Sequence, residues 1–147
     1  MAGEIDPLDA AALNRVADSF AVAHADALTV GRLFFDTLFE RYPHTREMFR
    51  GDLDEQGLKL MNTLHLVVAS LGHPEVVRPL AEDLARRHLA YGVRQYHYQE
   101  VGEALIATFY RHLGPEIFDP ETSDAWTRAY TMLADTMIAA AYPQPVN

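Results

Sequence analysis

The sequence predicts an all-α fold, and three observations carry that expectation. Apolar residues recur at the i, i+3, i+4, i+7 spacing of a single helix face in one segment after another. Prolines and glycines punctuate the chain between those segments, and no run of strictly alternating apolar and polar residues marks a strand. With 147 residues, 49% of them hydrophobic, the chain has enough apolar side chain for one compact domain, expected to span residues 1–147.

The elements follow from the breakers. In "DPLDAAALNRVADSFAVA", Asp6 is a candidate N-cap, Pro7 suits the first helical position, and Leu13, Val16, Ala17 and Phe20 form the stripe, predicting a helix over about residues 7 to 22. A second helix is predicted over about 26 to 41, ending near Pro43, which disfavours helix at the residue before it. "PHTREMF" reads as a short turn. Beyond the polar "RGDLDE" loop, Leu60, Leu64, Val67, Val68 and Leu71 form the stripe of a third helix, closed by Gly72 and then Pro74. The segment from Pro74 to Tyr91 continues helical, with a bend expected at Pro79 and a stop at Gly92. One long helix then carries Tyr98, Val101, Leu105, Phe109 and Leu113 and breaks at Gly114-Pro115. The last opens with Asp119 as cap and Pro120 as first residue, carries Trp126, Tyr130, Leu133 and Met137, and ends before Pro143. Six or seven helices are expected, with no internal repeat.

Composition excludes several functions. A formal net charge of −9, from 21 acidic and 12 basic residues, repels a phosphate backbone, and no Lys/Arg cluster offsets it locally, so nucleic acid is not an expected partner. The absence of cysteine removes disulfides, thiol catalysis, thiolate metal sites and attachment of a cofactor through sulfur, so any cofactor is held non-covalently. The first residues lack a charged-then-apolar leader, which makes the cytoplasm the expected compartment. The most apolar stretch, residues 58 to 71, is interrupted by Lys59, Asn62 and His65 and is too short to span a bilayer.

One helix face reads Leu80, Leu84, His88 and then Tyr91, placing an imidazole where a leucine is expected. Either a core hydrogen bond satisfies His88 or the interior needs a nitrogen donor. His24, His44, His73 and His112 fall at helix ends or loops and read as solvated; His65 and His97 read as surface or half-buried. No HExxH and no Glu-x-x-His pair occurs, and the His112 to Glu116 spacing is broken by Gly114-Pro115, so the usual all-protein metal designs are absent. A single histidine suffices for a metal only where a macrocycle supplies the other ligands, which points to haem. In "RLFFDTLFER" both Phe34/Leu38 and Phe35/Phe39 are apolar pairs. Such a helix is either contacted on two sides within the bundle or turns Phe35 toward a ligand-sized cavity, with Phe49 as a further large ring.

These segments also resemble a known family. "RRHLAYGVRQYHYQEVGEALIATF" (86 to 109) is similar to the proximal histidine, turn and following helix of bacterial globins, namely the globin domain of flavohaemoglobins and its single-domain relatives. "LFFDTLFERYPHTREMF" (33 to 49) and "DAWTRAYTMLA" in the last helix extend the likeness over nearly the whole chain. The resemblance implies a globin fold around non-covalent haem b, with His88 as the iron ligand, Phe49 against the porphyrin, Gln56 in the distal pocket and Leu60 one helical turn further on. Tyr98 matches a tyrosine beside the proximal imidazole. Two positions depart from the pattern: Phe35 stands where many relatives present a tyrosine hydroxyl, and Ala141 stands where they place a glutamate near the proximal histidine. Lys59 and Arg87 either pair with haem propionates or are simply solvated.

What the resemblance implies functionally is reversible binding of O₂, and of CO and NO, at a five-coordinate haem iron, hence an oxygen-binding or carrier protein. The alternatives are a nitric oxide dioxygenase, expected to need a separate reductase because the 147 residues carry no flavin or nicotinamide segment, and a haem-based or haem-free sensor module.

Overall fold

Helix α1 (Ala10–His24) begins where the side chain of Asp9 accepts the N–H of Ala12 at 2.8 Å. The computed structural model describes residues 8–142, so the expected cap Asp6 and first-turn Pro7 lie outside the described residues. The helix starts three residues later than expected because Asp9 supplies the same capping chemistry nearer to the stripe of Ala12, Val16 and Phe20 that it buries.

Helix α2 (Ala27–Arg41) is followed by a 3₁₀ helix (Pro43–Met48), α3 (Leu53–Ser70), α4 (Pro74–Ala90), α5 (Gln95–Ile117) and α6 (Pro120–Ala141). There is no strand among the described residues. Asp52 caps α3 by accepting from the N–H of Asp54 at 2.9 Å, and Asp119 caps α6 by accepting from Thr122, as the Asp-Pro pair predicts. Helix α3 closes just before Gly72, and α4 runs through Pro79. Gly72 does not adopt a positive φ; α3 ends on Leu71 in right-handed geometry, and Gly72 instead lies beside Leu13. Pro79 is carried inside α4 without a non-helical residue, its exposed position leaving the orphaned Glu75 carbonyl to water. Gly114, at φ 85°, does break α5 as its pairing with Pro115 predicts.

Helix α2 is the centre of the bundle and packs on α1, α3 and α5. Phe34, Phe35 and Leu38 are consequently each 3% exposed or less, and Phe39 is half-buried. It crosses α3 at Gly31 and Gly57, where a Cβ built on Gly31 would stand 3.0 Å from the Gly57 backbone. Only a hydrogen at each position permits so close an approach. At the opposite side of the core, the indole N–H of Trp126 on α6 donates to the Ser19 hydroxyl of α1 at 2.9 Å, beside Phe20 and Phe109.

A second, smaller cluster joins α4 to α6 and to the start of α5: Ala81, Ala85, Tyr98, Ala134 and Met137. Leu84 packs against both clusters. Gly102 lets the ring of Tyr130 lie on α5, since an added Cβ would come within 2.5 Å of that ring, and the Tyr130 hydroxyl donates to the Tyr98 carbonyl at 2.6 Å. Helix α4, whose last turns carry His88, is thereby held against α6 and the start of α5.

Candidate functional site

His88 is half-buried on the last turns of α4. Its Nδ1 lies 2.7 Å from the Leu84 carbonyl, and because a carbonyl can only accept, the proton must sit on Nδ1. That bond to the residue one turn back answers the first half of the sequence puzzle. It also leaves the Nε2 lone pair unused: His88 makes no other hydrogen bond, and no buried side-chain nitrogen or oxygen among the described residues lacks a partner, so Nε2 opens onto accessible space. Burial lowers the imidazole pKa, with Arg87 adding to the effect and the Leu84 carbonyl opposing it; the neutral, ligand-competent form is favoured at neutral pH.

The ring of Tyr98 is stacked on that of His88 at 6.1 Å and 23°. Burial raises its phenol pKa, so the group next to the imidazole is a neutral hydroxyl. Ala141 packs against the same cluster without a carboxylate, and its neighbour Tyr142 donates its hydroxyl to the Val93 carbonyl. Val93 in turn donates its N–H to the His88 carbonyl at 3.0 Å, which fixes the loop that follows the imidazole.

The second group of sequence-predicted residues gathers on α2, α3 and the intervening loop. Phe35 and Phe49 meet at 5.0 Å and 66°, with Phe39 stacked on Phe35 at 5.7 Å, and Leu60 packs against the same core. Gln56 lies close by in sequence, but its amide donates to the Arg50 carbonyl at 2.6 Å and so straps the loop before α3. Its second amide hydrogen has no partner among the described residues. Arg87 pairs with Asp83 on its own helix, and Lys59 is exposed.

One constellation escapes sequence reasoning. His97, expected at the surface or half-buried, is 8% exposed, and it is gathered with His44 and Glu100 so that one ligand atom from each lies within 4.8 Å of the others. His44 Nε2 lies 2.7 Å from a Glu100 carboxylate oxygen. No local spacing signals this, because residue 44 lies on the 3₁₀ helix and the other two on α5. His97 Nδ1 accepts the N–H of Arg94 at 2.9 Å, which caps α5 and commits the proton to Nε2. The trio is therefore a clasp between the 3₁₀ helix and α5 and offers no free imidazole lone pair from His97.

Burial also lowers the His97 pKa, against a smaller opposing pull from Glu100 and with His44 and Arg94 acting in the same sense as burial. The unfolded chain therefore binds this proton more tightly than the folded one. Its contribution to stability is complete above the ordinary imidazole value of 6.5 and declines as pH falls through and below it. In urea unfolding between about pH 7.5 and 5.5, the His97→Gln chain is expected to show a shallower loss of stability than the unmodified chain; equal slopes would reject the role.

A bundle of helices centred on α2, with a half-buried imidazole whose second nitrogen makes no hydrogen bond, defines the class of protein to which the comparisons point. The globin family model matches residues 32–137, and the chain belongs to the globin family. A flavohemoprotein of Bordetella parapertussis is 35% identical over 118 residues, 78% of this chain and 29% of that protein. An uncharacterized globin-like protein of Aquifex aeolicus is 32% identical over 114 residues, 76% of this chain and 80% of that protein. A flavohemoprotein of Deinococcus radiodurans is 30% identical over 119 residues, 79% of this chain and 29% of that protein. The matched region is thus under a third of the flavohemoproteins and most of the small globin-like protein. No helix among the described residues is long and apolar enough to cross a membrane.

Proposed function

We propose that this globin binds haem b through His88 and uses it to bind O₂ reversibly, with CO and NO as competing ligands. The observation that carries the reading is the state of His88: neutral, its Nδ1 proton spent on Leu84 and its Nε2 free, on a helix of a globin. This is the donor a porphyrin-bound iron requires of its protein. Haem, when bound, supplies a redox-active iron with one coordination position left for a diatomic gas.

The chain's own residues do the rest. The Leu84 carbonyl fixes the tautomer and rotation of His88, and Tyr98 limits the ring's freedom from its face. Phe35, Phe49 and Leu60 form an apolar cluster that would exclude water from the bound gas. Gln56, whose amide donates to the Arg50 carbonyl, would have a second amide hydrogen to offer a ligand that becomes negatively polarised. Absorption spectra of the purified chain with hemin in ferric, ferrous and CO-bound forms test the reading: a histidine-ligated, five-coordinate ferrous form that takes up CO is expected, and a colourless chain that refuses hemin overturns it.

The similarity to flavohemoproteins favours a second reading, a nitric oxide dioxygenase served by a reductase. Counting cycles separates the two. Repeated NO consumption with added reductant supports the enzyme, and a single stoichiometric burst supports the carrier.

Phe35 offers a direct probe of the distal side, because its ring is 3% exposed and edge-on to Phe49. Phe35→Tyr adds one hydroxyl donor, worth about 0.5–1.5 kcal/mol, and is expected to slow O₂ dissociation about two- to twelvefold in stopped-flow measurements. An unchanged rate would place residue 35 away from the bound gas.

A further inference from the structure

Two phenolic hydroxyls reach from the last helix to the segment that surrounds His88. Tyr130 donates to the carbonyl of Tyr98, the residue whose ring stacks on the imidazole. Tyr142, just beyond the end of α6, donates to the carbonyl of Val93 in the loop between α4 and α5. That loop is tied to the backbone of His88 itself. Gly92, at φ 86°, turns the chain back so that the Val93 N–H reaches the His88 carbonyl at 3.0 Å while the Gly92 N–H reaches the Leu89 carbonyl at 3.0 Å, the paired closure that ends a helix on a left-handed residue. Val93 thus holds His88 through its N–H and is held by Tyr142 through its carbonyl.

Tyr142 is a firm anchor for this link. Its own N–H donates to the Ile138 carbonyl at 2.8 Å, and Ile138 and Ala141 pack, as Val93 does, against the small cluster that joins α4 to α6. Tyr142 also adds to burial in raising the phenol pKa of Tyr98, so the two hydroxyls share one neighbourhood.

We propose that Tyr142 is a positioning residue for the imidazole: its hydroxyl holds Val93 and, through it, the last turn of α4, so that Nε2 of His88 keeps one direction. The proposal rests on the haem reading and deepens it, because a metal ligand binds best when its direction is set before the metal arrives. The two restraints on His88 are complementary. The Leu84 carbonyl limits rotation of the side chain, and the Tyr142 to Val93 link steadies the backbone from which that side chain springs. The last turn of a helix is where backbone opens most readily, so a tie to another helix has its largest effect there.

Tyr142→Phe keeps the ring and removes the hydroxyl. In the hemin-free chain, amide hydrogen exchange followed by NMR is expected to speed up about fivefold at Gly92 and Val93, the effect of one lost hydrogen bond, and to stay unchanged in α1 and α3. In the hemin-loaded ferrous chain, the iron–imidazole stretching band in resonance Raman spectra is expected to shift and broaden. Ser19→Ala is the control, since it removes the acceptor of the Trp126 N–H on the far side of the core and is expected to leave that band in place. Unchanged exchange at Val93 overturns the proposal at its first link. A band unmoved by Tyr142→Phe, or moved as far by Ser19→Ala, overturns it at the second, the latter by showing that any loosening of the fold reaches the imidazole. An unmodified chain that takes up no hemin brings down the haem reading and the proposal together, whereas a loaded chain whose band ignores the hydroxyl brings down the proposal alone.

Discussion

A chain carrying His88→Ala is expected to lose the five-coordinate, histidine-ligated ferrous spectrum and to bind hemin more than about a hundredfold less tightly, since removing a mere supporting partner of a metal ligand already costs about ten- to a hundredfold. The fold is expected to survive. The imidazole is half-buried and makes one hydrogen bond, to a carbonyl in its own helix, so the haem-free variant should lose only about 1 kcal/mol and keep its helical circular dichroism. Added free imidazole should restore part of the spectrum by occupying the vacated space. If the spectrum is unchanged without it, the iron ligand is another residue, and the free Nε2 on α4 has been assigned the wrong task.

The second large effect belongs to the crossing of α2 and α3. Gly31→Ala gains about 1 kcal/mol of helix propensity. Against that gain, the new methyl meets the Gly57 backbone at 3.0 Å, and backbone cannot turn aside as a side chain can. Overpacking of this kind costs about 1–3 kcal/mol, and since the helices must part along their shared face the upper end applies, so a net loss of about 2 kcal/mol is expected in urea unfolding. Gly72→Ala is the control: the nearest atom to its added Cβ is the end of the Leu13 side chain at 3.6 Å, its φ is not positive, and little change is expected. Equal stability of the two variants would mean that α2 and α3 do not meet as closely as described.

Where the sequence was legible, the information was local. The 3.6-residue stripe announces each helix, the Asp119-Pro120 pair marks the start of α6, and Gly114 beside Pro115 marks the break in α5. His88 stood out because a polar group interrupted an apolar stripe, Phe35 because two apolar pairs on one helix are more than a single buried face needs, and Phe49 as a large ring where a loop begins. What stayed hidden is non-local. Gly31 and Gly57 read separately as weak helix formers, and only the crossing shows why they are glycine. His97 sits at the start of a helix, where sequence suggests water, but the 3₁₀ helix brings His44 onto it across more than fifty residues. Competition between neighbours of equal chemistry is the other limit: Asp6 and Asp9 can both cap, and the choice depends on which residues of α1 find the core. The resemblance assigns Gln56 to the distal pocket, whereas its hydrogen bond to the Arg50 carbonyl depends on a loop length that residue type does not disclose.

The lone tryptophan of this protein sits at 4% exposure where α1, α5 and α6 converge, its indole tied to Ser19 and flanked by Phe20 and Phe109. Nature has thereby installed a single intrinsic fluorophore at the joint between the first and last helices. Its emission colour registers whether α1 and α6 have come together, and a chromophore seated in the interior would dim it, so assembly and loading can both be followed by light without any label.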